Sequence, residues 1–214
     1  MTQPTTKPSN DSCQPATPTD VLDFWLGDGV AKGWPTQDLN KQWFGGGAGL
    51  DADITACFAD RVKTAVAGGL NDLEQPPLQR LALVILLDQF TRNVFRGKGQ
   101  AFAGDARAQA LVQDTIARGE DTQLPWVGRV FTYMPLMHAE DLAQQDQCVA
   151  CFKRLVADAP DELKPKFQSN VDFAGKHRDI IARFGRFPYR NKALGRTDTP
   201  EEADFLRDGP RFGQ

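Results

Sequence analysis

The sequence predicts an all-α protein, a compact array of about seven helices. Apolar residues recur at helical spacing along most of the 214 residues, and no stretch alternates apolar and polar residues as a strand does. Glycine and proline interrupt this pattern at short intervals, where turns between helices are expected. We therefore expect one all-helical domain over residues 20–214. Residues 1–19 are rich in Pro, Thr, Ser and Gln, which indicates a disordered leader.

Three helices are predicted in the first half of the chain. A short helix, capped by Thr19 or Asp20, stops at a glycine. A Gly- and Trp-rich segment follows, which we expect to pack onto the body as a loop, and apolar spacing then predicts a helix over residues 51–67. The third helix follows a Pro-Pro pair and runs to about Phe95. Its middle is apolar on every face, which is typical of a central helix covered on all sides.

Apolar spacing in the second half predicts four further helices and a short acidic one. The four cover residues 105–118, 126–144, 145–157 and 161–183. Pro135 lies inside the second of them and should kink it, because proline removes one backbone hydrogen bond and crowds the preceding turn. A basic tail follows. The short acidic helix then begins with Pro200 at its first position, where proline is favoured.

Composition excludes several classes of function. The chain has 25 basic and 28 acidic residues and a net charge of −3, so no global field attracts nucleic acid or anionic lipid. No apolar run approaches the roughly 20 residues that a membrane-spanning helix needs, and the leader lacks the apolar core of a secretory signal. The sequence therefore predicts a cytoplasmic protein with no membrane partner, and it disfavours nucleic acid.

The cysteines indicate structural rather than chemical roles. Only Cys148 and Cys151 form a Cys-x-x-Cys pair, and that pair falls inside a predicted helix instead of at its N-terminus, where a thiol pKa is lowered. Zinc sites of this spacing need two more ligands, which the surrounding sequence lacks. We expect both thiols to be reduced and metal-free.

Polar residues interrupt the apolar face of the central helix. Asp88, Arg92 and Arg96 follow one another at spacings of four, so they share a face that should be partly buried. Gln89 and Asn93 stand one step around the helix. This pattern fits an internal carboxylate–guanidinium pair that ties helices together, and it also fits the wall of a functional site.

Both histidines of the chain continue apolar stripes. His138 and His177 are each spaced by four from apolar residues on their predicted helices, so both should face inward. Glu140 lies near His138, but a separation of two residues points the side chains about 200° apart on a helix. No spacing resembles a metal-ligand pattern, and we predict no metal and no cofactor.

A cluster of positive charge precedes the C-terminus. Residues 176–196 contain seven basic residues against the single acid Asp179. Arg186, Arg190 and Asn191 lie in a loop punctuated by Gly and Pro, where guanidinium forks can clamp a carboxylate or a phosphate. A solvated basic loop fits the same pattern. Apolar anchors such as Phe187 predict that this loop folds back against the body and brings Arg186 or Arg190 to Arg92.

Three segments of the chain resemble those of bacterial domain-of-unknown-function family 924. They are Leu86–Asn93 with Arg96-Gly97, Tyr133–Glu140, and Arg183–Asn191 with Leu194–Arg196. The resemblance covers about residues 20–206, and Thr91 departs from it where proline is expected. It implies an all-α, tetratricopeptide-like fold, and it implies no reaction, catalytic residue or cofactor.

Two hypotheses for function follow, and the sequence does not decide whether either involves catalysis. In the leading one, the three segments meet around one cavity that binds a small anionic metabolite. The candidate ligand-binding residues are Gln89, Arg92, Asn93, Arg96, Arg186, Arg190 and Asn191. The candidate acid–base and orienting residues are His138, His177, Asp88 and Glu140. The alternative is a protein-interaction module whose polar core is purely structural.

Overall fold

The computed structural model describes residues 16–209, and every regular element in that range is helical. The greater part of the predicted leader, residues 1–15, lies outside the described residues, as do residues 210–214. None of the helices in the described range is long and apolar enough to cross a membrane.

The described range contains 11 α-helices where the sequence predicted about seven. They are α1 (Pro18–Leu26), α2 (Gly29–Lys32), α3 (Ala48–Val66), α4 (Pro77–Ile85), α5 (Thr91–Val94), α6 (Asp105–Ala117), α7 (Trp126–Met137), α8 (Leu142–Asp158), α9 (Lys164–Phe184), α10 (Asn191–Leu194) and α11 (Pro200–Asp208). Of the three additional ones, α2 and α10 are four residues long, too short to show a periodic pattern. The third, α5, is the end of the predicted central helix, which the π-helical turn over Leu86–Phe90 separates from α4.

Several helix boundaries differ from the sequence prediction, and capping residues account for two of the differences. The first helix is capped by Thr17, whose side chain accepts from the backbone of Asp20 while the Asp20 carboxylate accepts from the backbone of Thr17. Thr19 and Asp20 therefore lie inside α1. The predicted break between residues 144 and 145 is also wrong. Helix α7 ends at Met137, and α8 begins after Asp141, whose carboxylate accepts from the backbone of Gln144 at 2.8 Å.

The central helix runs without interruption from Pro77 to Val94 through α4, a π-helical turn over Leu86–Phe90 and α5. It packs against α1, α3, α6 and α7. Buried aromatic rings join these helices in edge-to-face contacts, with Trp25 of α1 lying 5.4 Å from Phe90 and 5.8 Å from Phe131 of α7. The central helix is therefore the axis of the apolar core.

The chain beyond α9 folds back onto the body. We call residues 185–208 the C-terminal segment. Phe187 is fully buried, and its backbone N–H donates to the Glu140 carboxylate at 2.8 Å. Arg196 makes two hydrogen bonds to the same carboxylate, of 2.7 and 2.9 Å. Glu140 therefore fastens this segment to the connection between α7 and α8.

Gly104 lets α6 begin against the backbone of the central helix. A Cβ at this position would lie 2.2 Å from the carbonyl oxygen of Leu87, a backbone atom of the π-helical turn. Only glycine allows this approach, and the approach fixes where Asp105, the first residue of α6, meets the central helix.

We expect Gly104→Ala to destabilise the protein by about 1 to 3 kcal/mol, because one of the two backbones must move. Gly175→Ala is the control. It lies within α9 with no atom within 4 Å of an added Cβ, so helix propensity should raise stability by about 0.5 to 1 kcal/mol. Urea denaturation measures both. Equal stabilities of Gly104→Ala and the wild type would show that the two backbones are not in close contact.

Candidate functional site

A chain of buried charges starts in the π-helical turn of the central helix. This turn carries Asp88, whose side chain has no exposed surface. Single π-helical turns inside α-helices are rare and occur frequently at functional sites. The turn places a carboxylate inside an apolar core, where a charge must be paired and hydrogen-bonded.

Three side chains surround the Asp88 carboxylate. The Nδ1 of His138 lies 2.8 Å and 3.1 Å from its two oxygens, and the amide of Gln89 donates to it at 2.5 Å. Arg92 forms an ion pair with it at 3.3 Å and also donates to its main-chain carbonyl. Burial opposes ionisation of Asp88, but His138 and Arg92 outweigh it and hold its pKa well below the usual range.

The chain continues through Arg92 to α6 and the C-terminal segment. The second amino group of Arg92, Nη2, lies 3.1 Å from Asp105, and Arg190 lies 3.3 Å from the same carboxylate. His138, Asp88, Arg92, Asp105 and Arg190 thus form one line in which carboxylates alternate with cationic or basic side chains. We call these five residues the charge chain. Its members come from four separate regions of the sequence.

Arg190 ends the charge chain between two aromatic rings. Its guanidinium lies 4.6 Å from the ring centres of both Phe102 and Phe187, and the side chain is buried. Burial and the nearby Arg92 lower the pKa of Arg190, while burial and the repulsion of Asp88 raise the pKa of Asp105. The two carboxylates of the chain therefore differ in acidity, Asp88 being the stronger acid.

The histidines lie side by side, with ring centres 6.4 Å apart. His177 is buried against Phe187 at 5.7 Å, and its Nδ1 bonds the carbonyl of Phe173 at 2.8 Å. Burial lowers the pKa of His177 to about 3. Burial and Arg92 likewise lower the pKa of His138, although Asp88 opposes the shift. His177 is therefore neutral at physiological pH.

A cleft of about 450 Å³ opens beside the charge chain. Its wall combines residues of the central helix and its C-terminal end, the turn Gly99–Phe102 and the C-terminal segment. The lining residues are Arg92, Arg96, Gly97, Ala101, Phe102, Pro188, Tyr189, Lys192, Ala193, Asp198 and Leu206. Three of these are cationic and one is acidic. Arg92 thus belongs to both the charge chain and the cleft.

The candidate residues of the central helix separate into two groups. Gln89 and Arg92 bond Asp88 in the interior, whereas Asn93 and Arg96 turn toward α3. The Asn93 amide donates to Asp51 at 2.8 Å, and Arg96 makes two bonds to the same carboxylate, of 2.6 and 2.8 Å. Asp88, Arg92 and Arg96 therefore do not form one paired row, and Arg96, which lines the cleft, is 44% exposed.

Arg186, Asn191 and Glu140 do not line the cleft. Arg186 binds Glu202 through two bonds of 2.6 and 2.7 Å, because Glu202 is held at the start of α11 by its capping box with Thr199. Asn191 donates to Asp198 at 2.7 Å. Glu140 anchors the C-terminal segment, as described above. Of the two arginines predicted to reach Arg92, Arg190 does so through Asp105 and Arg186 does not.

Several residues of the site were not predicted from the sequence. Asp105 has the position of an ordinary acidic residue in the first turn of a helix, where its negative charge interacts favourably with the helix dipole. Phe102 and Tyr189 read as packing residues. The nearest sequence signal was Gly104 directly before Asp105, since a glycine outside a turn motif can mark a close backbone approach.

The thiols of the Cys-x-x-Cys pair lie in the interior of the protein. Cys148 and Cys151 are free and buried. Burial raises the pKa of both thiols, that of Cys151 to about 11, so neither is a reactive thiolate at neutral pH. Within residues 16–209, no three His, Cys, Asp or Glu side chains are grouped so that they could hold a metal ion.

Asp88→Asn should destabilise the protein by about 2 to 4 kcal/mol, since it removes the charge that pairs Arg92 without changing the shape of the side chain. The matched control is Asp23→Asn on the exposed face of α1, for which a change below about 0.5 kcal/mol is expected. Urea denaturation at neutral pH gives both values. If Asp88→Asn matched the control, Arg92 would have to be neutralised by Asp105 alone.

The lowered pKa of His177 predicts a pH-dependent stability. The unfolded chain binds a proton at this histidine below about pH 6.5, and the folded protein does so only near its pKa of about 3. His177 therefore favours unfolding as the pH falls between these values. The wild type should lose about 1.4 kcal/mol per pH unit more than His177→Phe in this window. Parallel curves for the two proteins would place His177 in solvent.

Comparisons with known proteins identify the family of this chain. The family of bacterial proteins of unknown function DUF924 matches residues 21–210. A solved structure from Agrobacterium tumefaciens, described as a protein of unknown function, is similar to this chain at 35% sequence identity. The match has a TM-score of 0.72 and covers 90% of this chain and 97% of that one. No curated protein matches significantly. The chain therefore belongs to DUF924, a family of bacterial proteins of unknown function.

Proposed function

We propose that this protein binds a small organic anion in the cleft beside the charge chain. One observation carries the proposal, namely that the wall of a cavity of about 450 Å³ presents Arg92, Arg96 and Lys192 against the single carboxylate of Asp198. Cavities of roughly 300 to 1,000 Å³ with apolar walls and a few polar groups are typical of small-molecule sites.

The charges behind the wall decide which cation is available to a ligand. Arg92 is paired with Asp88 and Asp105, and Arg96 is paired with Asp51. Carboxylates of the protein thus already neutralise both of these guanidiniums. Lys192 is exposed and makes no ion pair with any residue in 16–209, so it supplies the uncompensated charge.

Ion pairs hold Arg92 in place although two donors in the interior of the charge chain lack a partner among the described residues. The Nε atoms of Arg92 and Arg190 are buried and have no hydrogen-bond partner in the described part of the chain. Each unsatisfied donor carries a desolvation penalty, which for Arg92 the ion pairs with Asp88 and Asp105 offset. We infer that the chain fixes the position of Arg92 at the cleft, with Arg190, His138 and His177 as supporting groups.

An acid–base role of His138 is a second candidate, favoured by its contact with Asp88. A carboxylate at Nδ1 holds a neutral imidazole in the tautomer whose Nε2 can accept a proton. His138 does not line the cleft, so this role depends on a ligand that reaches deeper than the wall. A cytoplasmic site and a tetratricopeptide-like arrangement of the helices remain parts of the proposal.

The protein-interaction alternative has less support. Within residues 16–209, the exposed large apolar side chains lie on five separate elements rather than on one helix face. They are Phe44, Leu78, Leu142, Phe173 and Leu194.

Anion binding should raise the melting temperature of the wild type, because a ligand that binds only the folded state stabilises it. We expect this from a panel of mono- and dicarboxylates and phosphate esters at fixed ionic strength. Lys192→Gln should weaken the effect about tenfold in ligand concentration, in keeping with the loss of about 1.4 kcal/mol from one charged hydrogen bond. Lys153→Gln, an exposed lysine of α8 away from the cleft, is the matched control.

The proposal fails if no anion shifts the melting temperature beyond a chloride control. It also fails if Lys192→Gln and Lys153→Gln respond like the wild type to every anion, since binding would then lie elsewhere.

A further inference from the structure

The cleft is divided into a charged part and an apolar part. Arg92, Arg96 and Lys192 supply the cationic groups. The remaining wall is mostly carbon, from the turn Gly99–Phe102, from α10 and from α11. Its apolar side chains are those of Ala101, Phe102, Pro188, Ala193 and Leu206.

The volume of the cleft exceeds what an inorganic anion needs. A cavity of about 450 Å³ has room for about 15 water molecules at their liquid volume. Phosphate or sulfate, with five heavy atoms, would meet the cationic groups and leave the apolar wall in contact with water. A ligand that matches both parts must carry an apolar body behind its anionic group.

The carboxylate of Asp198 does not remove the separation between the charged part and the apolar part of the cleft. Asp198 accepts a hydrogen bond from the Asn191 amide at 2.7 Å, which orients its carboxylate toward its own segment. Burial raises the pKa of Tyr189, which therefore remains a neutral phenol, and no second anionic group lines the cleft within the described residues.

We propose that the ligand of this cleft is an amphipathic organic acid, with a single carboxylate or phosphate at the cationic groups and an aliphatic or aromatic body against Leu206, Ala193 and Pro188. This inference rests on the proposed function and specifies its ligand class. Affinity for such acids should come mainly from the apolar body, because the two arginines are already paired.

A homologous series of straight-chain carboxylates tests this inference. Acetate, butanoate, hexanoate and octanoate keep one charge and add methylenes, and each buried methylene should lower the dissociation constant by up to about fourfold. Titration calorimetry below micelle-forming concentrations gives the constants. Octanamide, which has the same body without the charge, should bind at least about tenfold more weakly than octanoate, and sulfate should bind like acetate.

Two variants locate the apolar part. Ala193→Phe should fill the cleft and weaken octanoate binding at least about tenfold while leaving acetate unchanged, because the charged groups are untouched. Ala150→Phe, an exposed position of α8, controls for the added ring. If Ala193→Phe fails to fold, Leu206→Asn replaces an apolar side chain of the partly exposed wall from α11 by an uncharged polar one, and it should weaken the binding of octanoate and leave that of acetate unchanged.

The outcomes separate the inference from the proposed function. Equal binding of sulfate, acetate and octanoate would overturn the inference and leave an anion site in place. Equal binding of octanamide and octanoate would show that the charge is not recognised and would overturn both. No binding of any anion would also overturn both.

Discussion

The carboxylate of Asp88 lies inside the apolar core, on the central helix that four other helices cover. Taking a carboxylate out of water is costly unless charged and hydrogen-bonding groups surround it, and removing one partner of a buried pair typically costs about 3 to 5 kcal/mol. Asp88 therefore requires His138, Gln89 and Arg92 at bonding distance. Arg92 in turn requires Asp105, and Asp105 is shared with Arg190. Each buried charge thus fixes the position of the next.

This dependence joins parts of the chain that are far apart in sequence. The central helix provides Asp88 and Arg92, the end of α7 provides His138, the start of α6 provides Asp105 and the C-terminal segment provides Arg190. Gly104 makes the contact between α6 and the central helix possible, because only a residue without a side chain allows α6 to approach the backbone of Leu87. The same contacts position the walls of the cleft. Arg92 is part of the charge chain, Phe102 packs against Arg190, and both side chains line the cleft. The contacts that hold these parts of the fold together therefore also position the candidate site.

Much of this arrangement could be predicted from the sequence, and the residues that could not share a physical reason. The spacing of Asp88 and Arg92 and the apolar stripes around both histidines are local patterns, so pairing and inward orientation followed from them. Asp105 depends on a backbone contact between two helices, which leaves no periodic trace. Arg186 and Arg190 occupy one loop, and the capping box of α11 decides which of them turns outward to Glu202.

The boundary between α7 and α8 and the π-helical turn also leave no distinct pattern in the sequence, so neither could be predicted from it. No glycine or proline separates α7 from α8, so no stop signal marks the end of α7, and the Asp141 cap is recognisable only once the break is known. The turn over Leu86–Phe90 lies in an unbroken apolar run, which continues equally well as an α-helix. Local apolar spacing therefore does not distinguish the π-helical turn from an α-helix.

A double-mutant cycle between Asp105 and Arg190 measures most directly whether the charge chain holds the C-terminal segment to the body. Asp105→Asn, Arg190→Met and the double variant would be unfolded in urea and compared with the wild type. If the chain is continuous, the two substitutions should be coupled by about 1 to 3 kcal/mol, the double variant being more stable than the sum of the single effects predicts. Effects that add within about 0.3 kcal/mol would contradict the account, because Arg190 would then be held by its aromatic neighbours alone.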